Sequence, residues 1–195
     1  MLFRSNGRTV YAAGEDLTNV NASVVTPINT ATNKAGKAAT VGGWVDAIAI
    51  TPNGKTIYVA DNEMGVGDTV TPINTATNKA GQAITVGASP VAIAITPNGK
   101  TAYVANNGEG TVTPINTATN QAGQAITVGA GPVAIAMTPN GTTAYVANTG
   151  GISYSGDTVT PIRTATNTAL KAIKVGSGPI FIAITPPAPC TKRSR

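Results

Sequence analysis

The chain has 195 residues, of which 42% are hydrophobic and 11% charged, with a formal net charge of +5 at pH 7. It contains no histidine and one cysteine, which excludes histidine-based catalytic triads, histidine-ligated zinc or haem, and an internal disulfide. No run of 18 apolar residues occurs, so we expect no membrane span, and the N-terminal residues lack the apolar core of a signal peptide.

One repeat accounts for almost the whole chain. The 39 residues from Asp68 to Asn106 return 42 residues later as Gly110 to Asn148 with five differences. A Thr-Pro-Ile triplet begins at Thr26, Thr71, Thr113 and Thr160, at spacings of 45, 42 and 47 residues. Such a period indicates an array of supersecondary units. We predict one domain over 1–186, with repeats near 26–68, 69–110, 111–157 and 158–186 plus 1–25, and a flexible basic tail at 187–195.

Each repeat predicts four short strands, called A to D in chain order. In the third copy, strand A covers 91–95, and the turn Thr96-Pro97-Asn98-Gly99 follows, with a left-handed glycine. Strands B, C and D are expected at 101–105, 111–115 and 124–128. Strand C holds a proline in every copy, which indicates that it lies near a sheet edge or that its proline points away from the ladder.

Four antiparallel strands per repeat are typical of a β-propeller blade. A-type strands fall at 46–51, 91–96, 133–138 and 179–185, and the last stands alone after the final repeat. Pairing of 179–185 with strand B at 8–13 would complete a fourth blade and cover two open edges. We therefore predict an all-β β-propeller of four-stranded antiparallel blades, with four blades and the C-terminal strand closing the N-terminal blade. The alternatives are a slice of a larger propeller and assembly with other copies.

Two sets of side chains are expected to fill the spaces between blades. Alternation along strands B and A points a tyrosine and an isoleucine of each repeat toward the neighbouring sheet. The residues are Tyr58, Tyr103, Tyr145, Ile48, Ile93 and Ile135. We predict that all six are interblade core rather than a ligand-binding stripe.

The B strands also carry a family resemblance. The segments 58–61, 103–106 and 145–148 read YVAD, YVAN and YVAN, each follows a TPNG turn, and together they resemble the YVTN-type propeller repeat. The resemblance covers almost the whole chain, although Tyr11-Ala12-Ala13-Gly14 departs from it. It implies a propeller fold and a secreted or cell-surface location. It assigns no functional residue.

The loops predict a disc with two differently charged faces. In such a blade the DA and BC loops lie on one face, and the AB and CD loops lie on the other. The BC loops, at 14–23, 61–68, 106–110 and 148–157, differ in length while the strands are nearly copied. Every carboxylate falls on or near the DA/BC face, and most bases flank the AB and CD turns. Such a disc has a dipolar field that steers charged partners.

We place the candidate binding site on this acidic face, because variable loops on a rigid scaffold carry function. Its residues are Trp44, Asp46, Asp61, Glu63, Glu109, Tyr154 and Asp157. The only tryptophan, Trp44, stands where the other copies have Ser89, Gly131 and Gly178. Two interpretations are open for Trp44, stacking on a sugar or other partner and packing over a neighbouring loop. Residues 61–68 offer oxygen ligands but lack EF-hand spacing, so we predict no metal and no cofactor.

These observations favour a non-catalytic binding or protein-interaction module. We expect a protein or glycan partner, and no nucleic acid, since no basic stripe is interleaved with aromatic residues. We expect no catalytic residue, because no nucleophile–base constellation exists without histidine. Two alternatives are a surface-layer-like structural unit that self-associates and a divalent-metal-dependent lactonase-like hydrolase.

Overall fold

The computed structural model describes residues 7–16, 18–19, 22–62, 67–153 and 155–186. Over these ranges the fold is all-β, with four antiparallel sheets arranged like propeller blades and one short 3-10 helix, Gly151–Ser153. None of the helical structure in the described part of the chain is long and apolar enough to cross a membrane. The predicted tail, 187–195, lies outside the described residues.

The blades follow one another along the chain. Blade 1 contains β1 (Thr9–Glu15), β2 (Ala22–Asn29), β3 (Lys34–Ala35) and β4 (Ala39–Gly42). Blade 2 contains β5 (Val45–Ile50), β6 (Thr56–Asp61), β7 (Thr69–Asn74), β8 (Lys79–Ala80) and β9 (Ile84–Thr85). Blade 3 contains β10 (Pro90–Ile95), β11 (Thr101–Asn106), β12 (Thr111–Asn116), β13 (Gln121–Ala122) and β14 (Ile126–Thr127). Blade 4 contains β15 (Pro132–Met137), β16 (Thr143–Asn148), β17 (Thr158–Arg163), β18 (Thr168–Ala169) and β19 (Ile173–Lys174).

The predicted turn chemistry is confirmed in the AB hairpins. Gly54, Gly99 and Gly141 adopt φ values of 70°, 72° and 72°, a conformation that costs glycine little because it has no Cβ. In the same turn of blade 3, the Oγ1 of Thr96 donates to Asn98 Oδ1 at 2.8 Å. These local bonds fix the hairpin and its register.

Strand D is broken in two by the proline of strand C. A residue in an antiparallel strand directs its N–H and its C=O toward the same neighbouring strand. The Pro114 carbonyl accepts from Gly123 N at 2.7 Å, so its missing N–H also faces strand D. The ladder is interrupted there, between β13 and β14. Strand C is thus an interior strand of the blade. The outermost strand, D, accommodates the proline by a break in its pairing with strand C.

The core consists of layers between blades. The layer between blades 2 and 3 joins Tyr58 and Val70 to Val104 and Ile115, all fully buried. Tyr58 and Tyr103 are core residues as predicted. Ile93 and Ile135 are partly buried against the same layers. The prediction is wrong for Tyr145, which is only half-buried, and for Ile48, which is 36% exposed.

The predicted closure of the ring is also wrong. Residues 179–186 are described and form no strand, and β1 pairs only with β2 among the described residues. The four blades therefore form an open arc. Its two ends expose apolar side chains, Val10 (53%) in blade 1 and Ile173 (48%) in blade 4. The number of strands permitted a closed ring of four blades. Such a ring also requires a rotation of a quarter turn from each blade to the next, and the strand pattern does not specify that angle.

Candidate functional site

The DA and BC loops meet on one face, as the sequence predicted. The carbonyls of Trp44, Ser89 and Gly131 each accept a backbone hydrogen bond from the BC loop of the following blade, at 2.7, 2.8 and 2.9 Å. On the opposite side, an AB turn meets a CD turn through the bond from Thr75 N to Lys55 O at 3.0 Å. The face built from DA and BC loops is called the acidic face below.

A cleft of about 550 Å³ opens on the acidic face between blades 1 and 2. Its lining consists of Gly14, Glu15, Ser23, Trp44, Val45 and Asp46. Gly14 and Glu15 end β1, and Ser23 lies opposite Glu15 on β2. Trp44 precedes β5, which begins with Val45 and Asp46. The cleft therefore lies where the A strand of blade 1 would begin.

The backbone of the DA loop changes to accommodate Trp44. The equivalent residues Ser89 and Gly131 have positive φ values of 54° and 61°, which are unfavourable for a bulky side chain. In blade 2 the positive φ, 60°, occurs one residue earlier, at Gly43. The carbonyl of Gly43 is held by Ser23 Oγ at 2.8 Å. Trp44 is left 45% exposed at the cleft.

Asp46 reaches the cleft because it is the extra residue of a β-bulge. The β5–β6 register shifts between Val45 and Ala47, and a bulge re-aims the side chain of its additional residue. Asp46 is exposed, and its Oδ2 accepts from Asn62 Nδ2 at 2.5 Å. Glu15, across the cleft, is also exposed. The cleft thus combines an indole with two solvent-facing carboxyl groups.

Asp61 lies under the acidic face rather than in the cleft. It is only 4% exposed, and its Oδ2 accepts from Thr71 Oγ1 at 2.6 Å. Burial raises the pKa of this carboxyl to about 6, partly opposed by hydrogen bonds from Thr71 and Thr69. In blade 3 the same position holds Asn106, whose Nδ2 donates to Thr113 Oγ1 at 2.8 Å. Asp61 therefore occupies a position that blades 3 and 4 fill with an amide donor, Asn106 and Asn148.

The remaining predicted site residues are dispersed or undescribed. Glu109 is exposed in the BC loop of blade 3, and Asp157 forms an ion pair of 3.3 Å with Lys174 in blade 4. Neither lines the cleft. Glu63 and Tyr154 lie outside the described residues. The structure thus brings together Trp44 and Asp46 of the seven.

Sequence reasoning missed the role of blade 1. Glu15 was counted among the carboxylates of this face but not as a site residue, and Gly14 and Ser23 were not singled out. Alignment of β1 with β11 was the available signal, since it puts Gly14 at the position of Asn106. Within the described ranges, no group of three or more Cys, Asp and Glu residues could hold a metal ion.

Residues 26–127 match the family described as "Lactonase, 7-bladed beta-propeller". The chain belongs to this family. Its four blades are fewer than the seven of the family description, in agreement with an open arc. The match begins within strand C of blade 1 and runs through strand D of that blade, all of blade 2, and blade 3 to the end of strand D. No curated protein matches the chain.

Solved structures give the same fold. Hydrazine synthase from Kuenenia stuttgartiensis is 27% identical, with a TM-score of 0.70, over 77% of this chain and 43% of that one. A functionally unknown protein from Desulfotomaculum acetoxidans DSM 771 is 21% identical, with a TM-score of 0.65, over 87% of this chain and 57% of that one. The chain therefore spans about half the length of these two structures.

Proposed function

We propose that the chain is a non-catalytic binding module on a propeller scaffold, with its ligand in the cleft between blades 1 and 2. One observation carries the proposal. The only tryptophan, placed where other blades have serine or glycine, lies half-exposed in the described cleft beside two carboxyl groups. The YVTN-type assignment and a cell-surface location remain predictions from resemblance.

The chemistry of the cleft suits a sugar. A volume of about 550 Å³ falls within the usual ~300–1,000 Å³ of small-molecule sites. An indole offers a flat apolar surface together with an N–H donor. The carboxylates of Glu15 and Asp46 accept hydrogen bonds from hydroxyl groups. A neutral or cationic glycan therefore fits better than an anionic one, which both carboxylates would repel.

The test is a glycan titration followed by the emission of Trp44. A bound sugar should shift that emission, and an anionic sugar should bind more weakly. The repeats supply substitutions that neighbouring blades already accommodate. Asp46→Val introduces the valine that blades 3 and 4 have at this position, and it should weaken binding at least tenfold. Lys100→Thr, on the opposite face, introduces the threonine that blade 4 has at this position, and it should leave binding unchanged. If no glycan shifts the emission, or if Lys100→Thr weakens binding as much as Asp46→Val, the proposed site is wrong.

A divalent-metal-dependent lactonase-like hydrolase is the second candidate, and family membership favours it. In that case Glu15 and Asp46 would supply hard oxygen ligands, and a bound cation would polarise the lactone carbonyl. Turnover of small lactones with and without added Ca²⁺ or Mg²⁺ separates the candidates. Metal-dependent hydrolysis that Asp46→Val abolishes would replace the binding proposal.

A further inference from the structure

The face opposite the acidic face is built from the AB and CD turns. In the AB turns of blades 1 to 3 a base follows the left-handed glycine, and a base begins or directly follows three of the four CD turns. All six bases are exposed. This surface is called the basic face below, and it is defined by Arg8, Lys34, Lys55, Lys79, Lys100 and Arg163. Every blade therefore contributes at least one positive charge to it.

Paired hydrogen bonds hold the AB turns, and the bases on them, in equivalent positions. In blade 2, Thr75 N donates to the carbonyl of Lys55 at 3.0 Å, and Thr75 Oγ1 donates to Gly54 O at 2.7 Å. Thr117 makes the same two bonds in blade 3, and blades 1 and 4 repeat them. The basic side chains thus extend from a fixed backbone, so only those side chains lose conformational freedom when a partner binds.

The described part of the chain places no carboxyl group on the basic face. Its carboxyl groups all lie in the DA and BC loops or at the strand ends beside those loops. Over the same ranges, Lys34, Lys55, Lys79, Lys100 and Arg163 form no ion pair with a carboxyl group. A surface with charge of one sign attracts partners of the opposite sign and raises their rate of encounter. The basic face is therefore suited to an anionic partner.

The other residues of these turns restrict the chemistry of that partner. Apart from the bases, the described AB and CD turns consist of threonine, asparagine, proline, glycine and alanine. They contain neither the aromatic side chains on which single-stranded nucleic acids stack nor those that anchor proteins at a membrane interface. They do present hydroxyl groups, which bond well to the hydroxyl groups of sugars. The second threonine of every CD turn is exposed, and these are Thr32, Thr77, Thr119 and Thr166.

We propose that the basic face binds a linear acidic polysaccharide. The carboxylates of the polymer contact the bases of successive blades, and its hydroxyl groups bond to the exposed threonines. The bases are spread over four blades instead of being gathered in one pocket, which suits an extended polymer better than a small anion. Four of the six bases are lysines, which act as point charges without the fixed geometry of a guanidinium. Recognition therefore depends on the charge density of the polymer more than on the identity of each sugar.

This surface is separate from the cleft between blades 1 and 2. The cleft lies on the acidic face, where the carboxyl groups of Glu15 and Asp46 repel an anionic polymer. The inference therefore does not rest on the ligand proposed for the cleft. Exposed ion pairs are individually weak and are screened by salt, so the polymer must contact several blades at once. Affinity should consequently rise with the length of the polymer and fall as the salt concentration rises.

Calorimetry with polygalacturonate, a linear polymer of galacturonic acid, tests the proposal. The full chain should bind it at low ionic strength, and it should not bind the fully methyl-esterified polymer, which has the same backbone without the charge. The matched variant combines Lys55→Thr with Lys100→Thr, because blade 4 has Thr142 at this position and keeps the turn, with a φ of 72° at Gly141. This double variant should bind about tenfold more weakly and should depend less on salt. Asp46→Val, on the acidic face, should leave this binding unchanged.

A second double variant, Lys55→Arg with Lys100→Arg, keeps the charge and should keep the binding. The proposal is overturned by failure to bind polygalacturonate at low ionic strength, by equal binding of the methyl ester, or by unchanged binding in the threonine double variant. Tighter binding of single-stranded DNA of the same charge, or of vesicles of an anionic lipid, would assign the face to a nucleic acid or a membrane and would also overturn it. A shift of Trp44 emission by polygalacturonate that Asp46→Val abolishes would place the polymer in the cleft, with the same consequence.

Discussion

The seam between blades 2 and 3 and the open end faces of the arc are made from nearly the same residues. At the seam, Tyr58, Val70 and Ile115 are fully buried, whereas at the ends Tyr145 and Ile28 are half-buried and Ile173 is exposed. The difference comes from the presence of a neighbour and not from the side chains. In a repeat protein, stability is the sum of each unit and its contacts with adjacent units. The end blades must therefore be the least stable unless something covers them.

The largest expected effect compares one position at a seam and at an open end. Ile115→Ala removes a fully buried side chain between blades 2 and 3, and it should lower the free energy of unfolding by about 2–5 kcal/mol through lost transfer energy and cavity formation. Ile28→Ala, at the equivalent position of blade 1, should lower it by about 1 kcal/mol. Urea denaturation at low protein concentration measures both. Equal costs would show that Ile28 is covered by another part of the same chain.

A second comparison concerns Asp61 and Asn106, which occupy one position in neighbouring blades. The pKa of Asp61 is raised from its ordinary 3.8 to about 6 by burial, so the folded state binds a proton that the unfolded state releases. Stability should therefore fall as the pH rises from about 4 to about 6, and the full loss should persist above that range. The interval between the two pKa values corresponds to about 3 kcal/mol.

Asp61→Asn should remove this pH dependence and stabilise the chain at pH 7, because the amide can donate to Thr71 as Asn106 donates to Thr113. Asn106→Asp is the reciprocal control and should introduce a similar loss of stability in blade 3. Thermal denaturation at pH 4 and pH 7 gives both results. A stability difference between these pH values that survives Asp61→Asn would show that another group is responsible.

The repeat was enough to predict the blades, because turn residues, β-branched strands and a period near 42 residues all favour the same local structure. It also predicted which loops share a face and that the carboxyl groups collect there. Closure was predicted wrongly, because it depends on the angle between blades, which is set by the packing of whole side chains. The error for Tyr145 has the same origin, since an interblade position is buried only when the next blade is present. Ile48 faces blade 1, and it is exposed because the described part of blade 1 has no A strand to pack against it.

The candidate site was only partly predictable. Trp44 and Asp46 stood out as departures from the repeat, and both line the cleft. The burial of Asp61 could have been predicted from its alignment with Asn106, which ends a buried strand. The ion pair of Asp157 with Lys174 joins strands C and D, so it depends on the register of a broken strand. Glu15 reaches the cleft only because the described part of blade 1 has no A strand beside it.

The smallest effect sharpens the comparison of seams and ends through a hydroxyl group. Tyr103→Phe removes the hydrogen bond to Asn167 across the seam between blades 3 and 4, while keeping the ring that fills the core. It should lower the free energy of unfolding by about 0.5–1.5 kcal/mol, the usual net value of one hydrogen bond. Tyr145→Phe removes a hydroxyl that has no hydrogen-bond partner in the described part of the chain, and it should leave the free energy of unfolding unchanged. Urea denaturation of both variants measures the two effects. If Tyr145→Phe costs as much as Tyr103→Phe, the hydroxyl of Tyr145 has a partner within the chain and the end face of blade 4 is covered.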